Sequence, residues 1–365
     1  MESYIPQIRA LVLACFFLPL IISFLLSPIS IKAAKKYGIM DTPNVNDRRR
    51  MHDVPKPCFG GMSIFVAATI TIILIYFFMD DFLPTVITMR EPIEKLVGIL
   101  VGGLIIFIVG IIDDKTEMKA LSKMGFQFLA ATVTFILGVR IPTIGFLGVD
   151  FSTNTTGLIL SYIITVVWIV GITNTINLID GLDGLADGVS VISSIAIAYA
   201  AYIHGQYTVS LAMMALAGAA LGLLPFNFYP AKTFMGDSGA MFLGFMLASI
   251  SLVGPAKGAT IVTLIVPVLV LGVPIFDILF AVFRRSRKGI SIFKADRGHI
   301  HHQLASMGLG QRRSVLMIYG ISAVMGIAAI LFSRDLFLEA LFLFFAAVLF
   351  IIVLIWGWSE KKKEN

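Results

Sequence analysis

The sequence predicts an all-α, polytopic integral membrane protein of about 11 transmembrane helices, with its N-terminus outside and its C-terminus cytosolic. Three observations predict this. Of 365 residues, 58% are hydrophobic and only 14% are charged, against about 25% charged in a soluble domain. The mean hydropathy is +0.93. The apolar residues fall in runs of membrane-spanning length, and the basic residues gather on one side of those runs.

A spanning helix needs about 20 apolar residues. Eleven stretches qualify in order: residues 10–31, 60–79, 96–112, 124–140, 157–173, 188–203, 209–224, 239–254, 259–283, 314–333 and 336–356. Met1 to Ile31 begins with an acid rather than a basic segment and its apolar run is long, so it reads as a retained span and not a cleaved signal. The longest polar stretches are Lys32–Phe59 and Arg284–Arg313. No low-complexity linker divides the chain. Residues 1–365 therefore read as a single transmembrane domain with polar loops at 32–59, 113–123, 174–187, 225–238 and 284–313. Cys15 lies in a span and Cys58 in a loop, so neither a disulfide nor a Cys-x-x-Cys metal pair is expected.

Orientation follows from lysine and arginine. The loops after spans 1, 3, 5, 7 and 9, with the C-terminal tail, carry 22 of the 28 basic residues. That bias places them in the cytosol. The same threading puts Asp113, Asp114, Asp180, Asp183, Asp187 and Asp237 on that one face, although it made no use of acids. Carboxylates at a lipid boundary are costly and usually functional. The outer loops hold Asp80, Asp81, Glu91, Glu94 and Asp150 without a comparable motif.

Five segments carry candidate chemistry. Asp113-Asp114 leave a span together. Adjacent helical side chains point about 100° apart, so one can serve a divalent cation and the other a substrate; the plain alternative is a charged helix end. Asn174, Asn177, Asp180 and Asp183 recur every three residues, with Asp187 four further on and Gly181, Gly184 and Gly188 between. Such oxygen donors suit Mg²⁺ or amide and hydroxyl recognition, and a simple turn needs far fewer polar groups. Asn227 to Gly239 places Asp237 between glycines at a helix start, with Phe234 able to stack on a base and Asn227 to bond a ligand; the alternatives are an N-cap and interfacial packing. Arg297-Gly-His299-Ile-His301-His302 offers three histidines within four residues. They can donate to phosphate or carry protons, and the His-Glu-x-x-His zinc pattern is absent. Finally, Lys56 precedes Gly60-Gly61, and backbone N–H groups beside a lysine can hold a diphosphate; basic anchoring is the alternative. Together these groups describe a membrane enzyme acting on a phosphate ester beside a lipid.

In register, the five segments resemble the polyprenyl-phosphate N-acetylhexosamine-1-phosphate transferase family. The matching segments are Asp113-Asp114, Asn177-Leu-Ile-Asp180-Gly-Leu-Asp183-Gly-Leu-Ala186, Phe234-Met-Gly-Asp237, His299-Ile-His301-His302 and Lys56-Pro-Cys-Phe-Gly-Gly61. The His-Ile-His-His loop is similar to the branch that uses GlcNAc and starts teichoic-acid or O-antigen synthesis; the muramoyl-pentapeptide branch carries three consecutive histidines.

The resemblance implies a Mg²⁺-dependent (or Mn²⁺-dependent) glycosyl-1-phosphotransferase in a bacterial cell membrane, acting on its cytosolic face. Its substrates would be UDP-GlcNAc and undecaprenyl phosphate, its products undecaprenyl-diphospho-GlcNAc and UMP. It would take no nucleic acid, and a homodimer is compatible with it. By the same resemblance Asp237 is the first metal ligand, with Asp114 and Asp180 assisting. Asp113 contacts or deprotonates the lipid phosphate. Asp183, Asn177, Asn227 and Phe234 hold the uridine or its diphosphate. Lys56, Arg297, His299, His301 and His302 hold phosphate or sugar, and His299 joins the catalytic set. Asp187 lies just past the signature and reads as a cap of the sixth span. The alternative donors are UDP-MurNAc-pentapeptide or another UDP-hexosamine. A cation-coupled transporter is the alternative of another class; it requires polar residues at mid-membrane and an internal repeat, and the sequence displays neither.

Overall fold

The computed structural model describes residues 5–42, 54–82, 92–141, 143–144, 149–151, 154–253, 264–287, 289, 304 and 309–364. Twelve helices carry the described fold: α1 (Ile5–Tyr37), α2 (Gly61–Phe82), α3 (Ile93–Thr116), α4 (Ala120–Ile136), α5 (Thr155–Ile179), α6 (Leu185–Ile203), α7 (Tyr207–Asn227), α8 (Gly236–Ser251), α9 (Val266–Val270), α10 (Gly272–Arg287), α11 (Gly310–Ser333) and α12 (Phe337–Glu364). Two small antiparallel pairs, Met40–Asp41 with Lys56–Pro57 and Thr143–Ile144 with Val149–Asp150, are the named strands among the described residues. The all-α membrane architecture is as the sequence reads. Among the described residues, α1, α2, α3, α5, α6, α7 and α11 contain apolar stretches long enough to cross a bilayer, and α4 and α12 carry shorter ones.

One expected span is broken. The stretch 259–283 divides at Leu271 into α9 and α10, and residues 254–263 lie outside the described residues. Pro274 lacks the N–H that would bond the carbonyl of Val270, so a continuous helix loses a rung there. The second piece is amphipathic. It exposes Phe276, Leu279, Phe280 and Phe283 and ends in Arg284, Arg285 and Arg287.

The centre of the bundle is α8, whose side chains are buried almost throughout. It packs against α2, α3, α5, α6 and α7. Lipid gives no hydrophobic drive between helices, so close packing of small residues does that work. On α3, Gly102 and Gly103 receive the rings of Phe245 and Phe242, and Gly110 lies against the backbone of Ser238. Phe65 stacks on Phe107 at 4.1 Å, and Phe242 meets Phe65 edge-on at 5.2 Å. On the other side, Gly218 and Gly222 of α7 lie against the backbone of α1. The packing therefore fixes the start of α8 relative to the ends of α3 and α5, where the acidic motifs stand.

Candidate active site

The turn between α3 and α4 builds the first part of the site. Glu117 adopts a left-handed φ of 50° and closes α3. Asp113, 3% exposed, accepts the N–H of Met118 at 2.7 Å through Oδ1. That bond folds the chain back, so Lys123, in the first turn of α4, returns over the end of α3. Its ammonium contacts Asp113 Oδ2 and lies 2.8 Å from Asp237 Oδ2. One helical turn along the same face is Gln127. It pairs with the Asn174 amide, receiving a bond of 2.6 Å and returning one of 3.3 Å. Asn177, three residues further along α5, donates to Asp237 Oδ1 at 2.6 Å. Asp237 is thus held from both sides, by a cation on α4 and an amide on α5.

Asp114 sits at the start of α8. Its Oδ1 accepts the N–H of Asp237 at 2.6 Å and its Oδ2 that of Ser238 at 3.1 Å. These are orphan donors of a helix's first turn, so Asp114 caps α8 from another helix. Gly236 is required here on two counts. Its φ is +77°, and a Cβ would lie 2.6 Å from Asp114 Oδ2. The Cys58 thiol reaches Asp114 Oδ1 at 3.7 Å. Burial, reinforced by Asp114 and other nearby carboxylates, pushes that thiol well above its ordinary value, so it stays protonated.

The early loop and the Phe-Met-Gly-Asp segment are joined along their backbones. Phe234 N–H donates to Pro57 O at 2.8 Å, Gly60 N–H to Phe234 O at 3.0 Å, and Gly61 N–H to Met235 O at 2.8 Å. This places Lys56 5.0 Å over the Phe234 ring and 3.7 Å from Asp183 Oδ2. Asp183 also accepts the N–H of Ala231 at 2.9 Å.

Two expected placements change. Asp187 does not cap α6, whose N-cap is Gly184. It is fully buried and accepts a 2.7 Å bond from Asn227. Asn227, expected against a ligand, is itself 1% exposed and turned into that pair. The reason is ordinary: a carboxylate buried in the first turn of α6 needs a donor, and α7 supplies it.

Asp180 differs from all of these. It follows α5 and is half-buried; its backbone N–H bonds Asn177 O, but its carboxylate makes no hydrogen bond or ion pair with other described residues. Burial, and then the charges of Asp187, Asp237, Asp114 and Asp183, push its carboxyl well above the usual range. Among the described residues no three ligating groups already stand at metal-cage spacing. Mg²⁺ does not need such a cage: it binds through one or two carboxylates, its own waters and substrate phosphates. A donorless carboxylate among like charges, beside the half-open Asp237, fits such an ion.

The structure therefore brings together Asp113, Asp114, Asn177, Asp180 and Asp237, with Lys56, Asp183 and Phe234 alongside. Arg297, His299, His301 and His302 lie outside the described residues. Lys123 and Gln127 were missed as site residues. Their signal was a lysine and a glutamine four apart on one face of an otherwise apolar helix. Tyr319, whose hydroxyl donates to Gly184 O, had no such signal.

Comparison with known proteins shows the family. The model of glycosyl transferase family 4 matches residues 96–255. A probable undecaprenyl-phosphate N-acetylglucosaminyl 1-phosphate transferase of Bacillus subtilis is 36% identical, over 94% of this chain and 91% of that protein. A decaprenyl-phosphate N-acetylglucosaminephosphotransferase of Mycobacterium tuberculosis is 34% identical over 90% and 85%. A phospho-N-acetylmuramoyl-pentapeptide-transferase of Staphylococcus saprophyticus is 30% identical over 84% and 95%. With the acidic motifs gathered at the start of α8 and relatives matched almost end to end, the chain belongs to the polyprenyl-phosphate N-acetylhexosamine-1-phosphate transferases of glycosyl transferase family 4.

Proposed function

We propose that this protein transfers GlcNAc-1-phosphate from UDP-GlcNAc to undecaprenyl phosphate, giving undecaprenyl-diphospho-GlcNAc and UMP. This is the first membrane step of a surface glycopolymer, teichoic acid by our reading, at the cytosolic face of a bacterial plasma membrane. The observation that carries it is the meeting of Asp113, Asp114, Asn177, Asp180 and Asp237 at the head of α8. The names of the Bacillus and Mycobacterium relatives support the sugar and the lipid. The basic-residue bias supports the cytosolic side.

In this reading an oxygen of the lipid phosphate attacks the β-phosphorus of UDP-GlcNAc. The bond from that phosphorus to the bridging oxygen breaks, and UMP leaves with the electron pair. A lipid monophosphate has a second pKa near 6, so it arrives mostly dianionic and needs little help from a base. That suits Asp113, whose two oxygens face Met118 and Lys123 rather than open solvent. Asp180 and Asp237 would hold Mg²⁺, which would neutralise the diphosphate and the departing UMP. Asp114 keeps Asp237 in place through the first turn of α8. Lys56, placed over Phe234, would meet the diphosphate while the ring meets the base. Catalysis is then mostly positioning and electrostatics.

The test is UMP release by purified protein with undecaprenyl phosphate, with and without Mg²⁺, from UDP-GlcNAc, UDP-GalNAc and UDP-MurNAc-pentapeptide. Metal-dependent release from UDP-GlcNAc is expected. Preference for the pentapeptide donor would move the protein to the other branch. Asp237→Ala should abolish release while the protein stays monodisperse in detergent, and retained activity would remove Asp237 from the metal site.

A further inference from the structure

Lys123 holds a position that the reaction has not yet used. Its ammonium bridges Asp113 and Asp237, two acids from different motifs. The three side chains differ in exposure: Asp113 is 1% exposed, Lys123 23% and Asp237 32%. Asp113 is the fixed end, since its other oxygen is committed to Met118. Asp237 is the open end. Lys123 is anchored at its Cα in the first turn of α4, which Gln127 pins to α5 through Asn174. Only the lysine's four-carbon stem is free to swing, and it carries three rotatable donors.

Asp237 Oδ2 cannot serve this ammonium and a divalent ion at full strength. Like charges at such distances repel strongly where water is scarce. We propose that Lys123 is a positioning residue that acts as an internal counter-ion. It neutralises and orients Asp237 until the metal and nucleotide arrive, then yields Asp237 and turns its ammonium onto a phosphate oxygen of the substrate. This rests on the reading of Asp237 as a metal ligand. Lys56 makes the same kind of pairing with Asp183 at 3.7 Å, but that contact is longer and does not involve Asp237. Among the described residues, Lys123 is the cation paired with the proposed ligand.

The inference makes Lys123 an opponent of metal binding and a helper of turnover, two effects of opposite sign. The experiment is titration of the detergent-purified protein with Mn²⁺, following free Mn²⁺ by electron paramagnetic resonance, beside UMP release. Lys123→Met should bind Mn²⁺ about tenfold more tightly or better and release UMP more slowly. Lys123→Arg, which keeps the charge, should keep Mn²⁺ affinity near that of the unaltered protein. Should Lys123→Met lose its fold because Asp113 is left uncompensated, Lys123→Met combined with Asp113→Asn carries the same test when compared with Asp113→Asn alone. Unchanged or weaker Mn²⁺ affinity without the ammonium overturns the inference and leaves Asp237 as a ligand. Absence of Mn²⁺ binding by every protein, the unaltered one included, overturns the metal reading and this inference with it.

Discussion

Replacing Asp114 separates its structural work from its chemistry. Its carboxylate accepts two N–H groups at the first turn of α8, at 2.6 and 3.1 Å. Asp114→Ala leaves both donors without a partner in a half-buried setting. Each unpaired buried donor costs about 1–3 kcal/mol, and loss of a cap side chain alone costs about 0.5–2 kcal/mol. Both bonds are only part-buried, so the lower part of the range for two donors applies, about 2–4 kcal/mol with the cap loss included in it. Asp114→Asn keeps one acceptor oxygen and so can retain one of the two bonds. Its loss should be about half as large. The assay is thermal unfolding in detergent with a chelator present, followed by tryptophan fluorescence. Trp168 suits this because its indole bonds Ala248 O on α8 at 3.3 Å. The expected order of stability is unaltered, then Asn, then Ala. If Asp114 served only as a metal ligand, removing its charge from an acidic cluster would leave the metal-free protein unchanged or more stable. Unfolding of Asp114→Ala at or above the temperature of the unaltered protein would refute the capping argument.

Three further variants have outcomes set by the same structure. Gly110→Ala places a Cβ against the backbone of Ser238, which cannot move aside; about 1–3 kcal/mol of stability and most of the UMP release should be lost together. Gly125→Ala, with open space at its Cβ, should by comparison cost little in a stability and activity assay. Asp180 gives a pH signature. Its folded-state pKa lies well above the ordinary 3.8, so the metal-free folded protein keeps a proton that the unfolded chain releases. Its contribution to stability is therefore present below that value and is lost as pH rises through the raised one. Asp180→Asn should stabilise the chelated protein, and more at pH 8 than at pH 5. A stability difference independent of pH would contradict it.

The sequence carried the acidic constellation because each motif is local. Asp113-Asp114 and the Asn177 to Asp183 run are spaced so that a helix end alone presents them together, and the basic-residue bias set them on one face. What stayed illegible needed partners distant in the chain. Asn227 reads as a ligand-facing amide until Asp187, 40 residues earlier, is seen to need it. Lys123 reads only as one of the 22 basic residues that set orientation, since nothing local says that the left-handed Glu117 turns it back onto Asp113 and Asp237. The ninth span was an apolar run whose composition hid the consequence of Pro274. Gln127 was the polar clue most open to reading, because an amide in an apolar span requires a partner.

The backbone ladder between the early loop and the Phe-Met-Gly-Asp segment has a consequence for how the protein comes into being. Thr233 Oγ1 donates to Pro57 O across a separation of 176 residues, and Phe234, Gly60 and Gly61 continue the seam. Ribosomal synthesis supplies residues 56–61 long before their partners, so this edge waits, unpaired, through the insertion of six helices, α2 to α7. A chain halted after α7 already carries Asp113, Asp114, Asn177, Asp180 and Asp183, yet it has neither Asp237 nor the seam that seats Lys56. Asp237 and the seam therefore arrive together, when α8 joins the helices already in place around it. Long-range closure of this kind is slow and leaves pairing edges exposed. The same seam makes a two-fragment assembly, divided between α7 and α8, a natural way to watch the site being completed.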